Sequence, residues 1–162
     1  MYQFFKTEES TALLILRVML GGVMFAHGAL KLFGWFGGQG FTTTIGTFTV
    51  TMGLPWLVAF LVIIGESIGS LALVAGLLTR FTAASYILIM SGAIAMVHWS
   101  NGFFMNWFNQ QQGEGFEFHL LVLGMSAALV VAGGGKWAID RAIARELAER
   151  TEPAPAAVRK AA

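Results

Sequence analysis

The sequence reads as all-α, a bundle of four transmembrane helices, and three observations carry that reading. Of its 162 residues 56% are hydrophobic and only 12% are charged, and a mean hydropathy of +0.69 lies above the range of most soluble domains. Four apolar segments, at about 11–33, 56–78, 82–99 and 117–135, each approach the roughly 20 residues that about 30 Å of hydrocarbon requires. The basic residues also gather on one side of those segments: Lys6, Arg80, Lys136, Arg141, Arg145, Arg150, Arg159 and Lys160 against Lys31 alone. By the positive-inside rule both termini are then cytoplasmic, and the two long loops face the periplasm or the outside.

Each element follows from its residues. The opening MYQFFKTEES has neither the compact basic region nor the small-residue cleavage site of a secretory signal, so the run after it is read as a retained first span. In the first outer loop Phe41, Ile45, Phe48 and Met52 recur at helical spacing, which favours a short interfacial helix. The alternation in FTVTM is the competing strand signal. Only Leu78-Thr79-Arg80-Phe81 separates the second and third spans, so these two are antiparallel neighbours. The second outer loop, NGFFMNWFNQQQGEGF, is rich in the aromatics that sit at headgroup level. Gly133-Gly134-Gly135 stops the fourth helix, and Ile139, Ile143 and Leu147 then mark an amphipathic cytoplasmic helix with Trp137 at the interface. Residues 1–150 form one membrane domain. Residues 151–162, with two prolines and no apolar stripe, are expected to be disordered.

The chemistry is bounded from both directions. The chain has no cysteine, so thiolate nucleophiles and Cys-ligated metal centres are outside its reach. No basic field exists for nucleic acid. Ionisable residues within the spans are costly, and they default to partnered or functional groups facing the bundle interior. Arg17 enters from the cytoplasmic end of the first helix, and Glu66 lies near mid-membrane on the second, within reach of a long arginine side chain. A buried Arg17–Glu66 pair is expected, serving either to hold the bundle together or to handle protons. Glu66, Gly69, Leu73, Gly76 and Arg80 share one stripe, where small residues let a neighbouring helix approach.

At the outer ends His27, Lys31, His98, Glu117 and His119 fall within about two turns of the boundary. With Trp99, Phe103, Phe104 and Trp107 they compose either a ligand pocket for a small polar or quinone-like head group or an interfacial anchor with satisfied histidines. The ligand-binding candidates are His27, Lys31, His98, Glu117, Trp99 and Phe104. A metal site is not expected, because Glu117 and His119 point about 200° apart on a helix and no close histidine pair occurs along the chain.

These residues together resemble the DoxX family of small four-helix bacterial membrane proteins. The likeness is carried by LRVMLGGVMFAHGALKLFG with Arg17, His27-Gly28 and Lys31, and by GLPWLVAFLVIIGESIGSLALVAGLLTR with Glu66, Gly69, Gly76 and Arg80. It continues through His98, Asn101-Gly102-Phe103-Phe104, Glu117 and GGGKWAIDRAI with Asp140. The resemblance implies a multi-pass protein of the bacterial inner membrane, and it marks Arg17, His27, Lys31, Glu66, Arg80, His98 and Glu117 as residues expected to matter. Relatives include a membrane subunit of a thiosulfate:quinone oxidoreductase, and others belong to membrane complexes that counter oxidative and thiol stress.

Three functions are consistent with this reading. One is a subunit of a redox complex that binds quinone or a small sulfur anion near the periplasmic face. The second is a non-catalytic accessory subunit of a respiratory or photosynthetic assembly, and the third is a small proton-coupled transporter. Besides the lipid bilayer, a protein partner in a membrane complex is expected. Quinone is the candidate cofactor, no group is expected to be covalently bound, and whether any catalysis resides in this chain is left open.

Overall fold

A computed structural model describes residues 2–150, and the tail expected to be disordered at 151–162 lies outside them. The chain forms α1 (Tyr2–Phe5), α2 (Thr11–Leu32), α3 (Gly40–Gly46), α4 (Trp56–Ala75), α5 (Thr79–Ala93), α6 (Glu117–Ala132) and α7 (Ile139–Glu149). No strand occurs among the described residues. Three helices are long and apolar enough to cross a bilayer, Thr11–Leu32, Trp56–Ala75 and Thr79–Asn101, the last being α5 prolonged by a wide turn at Ile94–His98. The fourth apolar helix, α6, has 16 residues and is about 24 Å long at 1.5 Å per residue, shorter than the first three.

Local chemistry sets the ends. Ser10 is extended and its hydroxyl accepts from Leu13 N at 3.3 Å, a serine cap that starts α2. Gly76 at φ 72° closes α4 in the left-handed conformation that glycine tolerates best. A side chain there would also meet Ala138 Cα at 2.6 Å. The link between α4 and α5 is consequently shorter than expected, and Arg80 lies inside α5 rather than in the connection. In the first outer loop the helical spacing prevails over the FTVTM alternation: Gly40–Gly46 is helical and continues through a wide turn at Thr47–Thr51. Thr47 and Thr49 hydroxyls donate back to Thr43 O and Ile45 O there, which occupies polar groups that a strand would leave open.

The bundle is polar inside and apolar outside. Arg17, Glu66, Ser67, Ser70, His119 and Ser126 are buried, while Ile15, Met19, Leu61, Leu88, Leu121 and Val131 are exposed, the distribution expected where lipid is the solvent. Leu20, Met24, Leu73, Tyr86, Met90, Val122 and Leu129 fill the interior between these groups. The tightest seam joins α2 to α4. A Cβ at Gly28 would overlap the Glu66 carbonyl, and one at Gly21 would come within 3.0 Å of Ser70 O, so two glycines seven apart let the backbones touch.

Backbone hydrogen bonds define the end of the bundle that carries the termini. Glu8 N donates to Ala132 O at 3.3 Å, Lys136 N to Ser10 O at 3.1 Å and Asp140 N to Gly76 O at 2.9 Å. The start of α2, the ends of α4 and α6 and the start of α7 therefore meet there. His98, the second loop and the start of α6 gather at the far end.

Candidate functional site

The expected Arg17–Glu66 pair does not form. The Arg17 guanidinium instead donates to the carbonyls of Gly134 (2.7 Å), Lys136 (3.1 Å), Leu73 (3.3 Å) and Val74. Leu73 and Val74 are in the last turn of α4, where Leu73 O also accepts from Gly76 N at 2.9 Å, Val74 O is free of the helix ladder and the helix dipole is negative. These oxygens lie a short reach from the root of the arginine, whereas Glu66 is two turns farther up α4, so the fork is used up on backbone. Arg80 does the same for α6, donating to Val130 O, to Val131 O at 2.7 Å and to Lys6 O at 3.0 Å. Asp140 supplies the opposite cap: its carboxylate accepts from Leu78 N at 2.7 Å and Thr79 N at 2.8 Å, satisfying amides at the start of α5 from another part of the chain.

Glu66 is paired with Lys31. The carboxylate is almost fully buried and the lysine is partly exposed at the far end of α2. The Ser70 hydroxyl donates to the Glu66 backbone carbonyl and shares a hydrogen bond of 2.6 Å with Tyr86 OH, which ties α4 to α5 one turn below the pair.

The three histidines gather at that same end. The His98 and His119 ring centroids are 4.1 Å apart, and His27 is 5.4 Å from Phe118, the residue beside His119. His27 and Lys31 are both within electrostatic range of His119. His98 Nδ1 is 2.7 Å from Glu114 O, whereas Nδ1 of the buried His119 has no hydrogen-bond partner. Among the described residues no group of three metal-ligating His, Asp or Glu side chains assembles.

Glu117 faces away from the histidines, as its position two residues before His119 requires. Its Oε1 accepts from Met105 N at 3.0 Å and from Trp107 Nε1 at 3.3 Å, which holds the second loop against α6. Beneath that loop is an open cleft of about 570 Å³, lined by Phe103, Met105, Trp107, Glu117, Phe118, Leu120 and Leu121. It is apolar apart from the single carboxylate. Phe118 separates the two halves of the site: one face belongs to the cleft and its ring packs against His27.

The sequence-based candidates therefore divide. Lys31, His27 and His98 come to one end, but none of them lines the cleft. Trp99 stacks on Phe116 at 5.4 Å and Phe104 packs edge-on against Phe103 at 5.0 Å, and both are largely exposed, away from the cleft. Of the ligand-binding candidates only Glu117 lines the cleft; Phe103 and Trp107, expected as walls, join it, and Met105, Phe118, Leu120 and Leu121 line it unforeseen, while His119 carries the orphan nitrogen. The signal for His119 and Phe118 was present in EFH at the start of α6, where Glu117 and His119 take opposite faces and Phe118 lies between them. Met105 joins the cleft through loop geometry that no periodicity encodes.

The family model DoxX matches residues 12–99. A protein of Bacillus subtilis (strain 168) named "Putative oxidoreductase CatD" is 32% identical over 127 residues, covering 78% of this chain and 83% of its own length. No solved structure matches.

Proposed function

The chain belongs to the DoxX family, and from that premise we propose that this multi-pass membrane protein is the quinone-binding subunit of a membrane redox complex. In this reading α2, α4, α5 and α6 all span the bilayer, with both termini cytoplasmic and the cleft near the periplasmic face of the inner membrane. The basic residues at the termini end support that orientation. The similarity to a protein named as an oxidoreductase supports the redox role.

The cleft under the second loop carries the proposal. Aromatic walls with one convergent polar group suit a flat ring that arrives from lipid. Phe103, Trp107 and Phe118 supply the walls. Glu117 uses Oε1 for the loop and keeps Oε2 for the hydroxyl of a quinol. Reduction of a quinone takes up two electrons and two protons. The electrons come from a partner redox subunit and the protons from water, and this chain binds the ring and holds Glu117 beside it to pass a proton to the ring oxygen and be reprotonated from solvent. A small sulfur anion fits less well, because Lys31, the cation that favours it, is committed to Glu66.

The test is binding of a short-tailed quinone analogue to the purified full chain in detergent, read by quenching of tryptophan fluorescence. Phe118→Ala and Glu117→Gln are each expected to weaken binding by about tenfold, equivalent to about 1.4 kcal/mol. Trp99→Phe leaves it unchanged. Equal affinity in all three variants, or no binding by the parent chain, would overturn the proposal.

A further inference from the structure

A second recess lies at the opposite end of the molecule, between α1 and α7. It is a cleft of about 210 Å³ lined by Tyr2, Lys6, Thr7, Arg141 and Arg145, with Ala144 and Ala148 of α7 as its floor. Lys6 and Arg145 form no ion pair among the described residues. Arg141 is held by Glu9 at 2.5 Å, and that guanidinium keeps the Glu9 carboxyl below the ordinary carboxylate range. Three cations and one carboxylate leave the recess strongly positive. The Thr7 hydroxyl accepts from Gly135 N at 2.7 Å, which frees its own O–H to donate.

The position of this recess identifies the source of the anion. It sits where α2 begins and α6 ends, so the apolar helix surfaces start directly beside it. Tyr2, Phe4 and Trp137 at this same end are exposed, the residue types that rest at headgroup level. A phosphate held by Lys6 and Arg145 would place two acyl chains along exposed apolar helix surface. A soluble phosphate would make no use of those aromatics. Basic recesses beside membrane helices are a recurrent way to hold anionic headgroups.

We propose that the α1–α7 recess binds the phosphate of an anionic phospholipid headgroup, with Lys6, Arg145 and the Thr7 hydroxyl as its contacts and Arg141 as a supporting charge. The site is independent of the quinone cleft, and binding here pins the short N-terminal helix and α7 to the bilayer surface.

The experiment is native mass spectrometry of the full chain in detergent, titrated separately with phosphatidylglycerol, with phosphatidylcholine of the same acyl chains and with inorganic phosphate. Phosphatidylglycerol is expected to bind tightly and phosphatidylcholine weakly. At roughly fivefold per cation at a membrane surface, Lys6→Ala with Arg145→Ala weakens phosphatidylglycerol on the order of 30-fold. The charge-preserving pair Lys6→Arg with Arg145→Lys retains it, and Arg150→Ala, which removes a charge outside the recess, changes little. Equal binding of the two lipids, or a loss in Arg150→Ala as large as in the double variant, would overturn the proposal. So would full displacement of phosphatidylglycerol by an equal concentration of inorganic phosphate, which would assign the recess to a soluble anion.

Discussion

The two ends of the bundle use buried charge in different ways. At the termini end Arg17, Arg80 and Asp140 spend their hydrogen bonds on main-chain groups: carbonyls at the ends of α4 and α6, and amides at the start of α5. The partners cannot move without the helices moving, so these charges act as clamps. At the far end Glu66 and His119 meet side chains instead, while Glu117 and His98 hold the main chain of the second loop. Lys31 pairs with Glu66, the His98 ring lies tilted against His119, and His119 Nδ1 is unpartnered. A charge inside a membrane protein is therefore not a mark of chemistry by itself; its partner separates a structural clamp from a group left able to exchange protons or bind a ligand.

The sharpest way to break this comparison is to remove a clamp. Arg17→Met leaves the carbonyls of Val74, Gly134 and Lys136 without a donor, while Leu73 O keeps Gly76 N, at about 1 to 3 kcal/mol for each buried group orphaned. The expected loss is about 4 kcal/mol or more, seen as a collapse of yield and of the thermal unfolding temperature in detergent. Arg17→Lys should not rescue it, because a single ammonium cannot span carbonyls on two segments. A stable, fully helical Arg17→Met protein would show that the clamp is dispensable.

The Lys31–Glu66 pair is the next largest effect, and it tests the other half of the comparison. Removing one partner of a buried pair costs about 3 to 5 kcal/mol, whereas removing both is often tolerated. Lys31 is partly exposed, so about 3 kcal/mol is the expected loss for Lys31→Met. Combining it with Glu66→Met should recover most of that loss. Additive single and double losses in the cycle would mean that the two side chains stabilise the fold independently.

The helices, their order and the inward placing of the ionisable side chains were legible because each rests on local pattern: apolar run length, Gly133 as a stop, and the cost of a charge facing lipid. The charge partners were not. Arg17 has both the Glu66 carboxylate and the end of α4 as targets of opposite sign, and the choice between them depends on how far α2 slides along α4. That offset is set by Gly28 seating on Glu66 and Gly21 on Ser70, a contact that spacing suggests but whose register it does not specify. Convergence of His27, Lys31 and His98 was readable from topology alone. The cleft was readable only in part, since Phe103 and Trp107 were expected walls, while Met105 arrives through a loop folded by Glu117 and by the Glu114 hydrogen bonds to Asn106 and Asn101.

His119 gives the smallest effect on stability and the most discriminating one. Its ring is buried against His98 and its Nδ1 has no partner, so the fold carries an unsatisfied polar atom at this position. Phenylalanine keeps a flat ring for His98 to pack against and removes the orphan nitrogen. If His119 is structural, His119→Phe should be neutral or raise stability by up to about 1 kcal/mol, with ligand binding untouched. If the nitrogen is retained for function, the same variant should be as stable or more stable and yet lose quinone-dependent turnover in the assembled complex. Stability that rises while turnover falls separates this end of the bundle from the clamps, where any loss of function should track loss of folding. A drop in stability of about 2 kcal/mol would mean that Nδ1 has a partner in the membrane and would return His119 to the structural group.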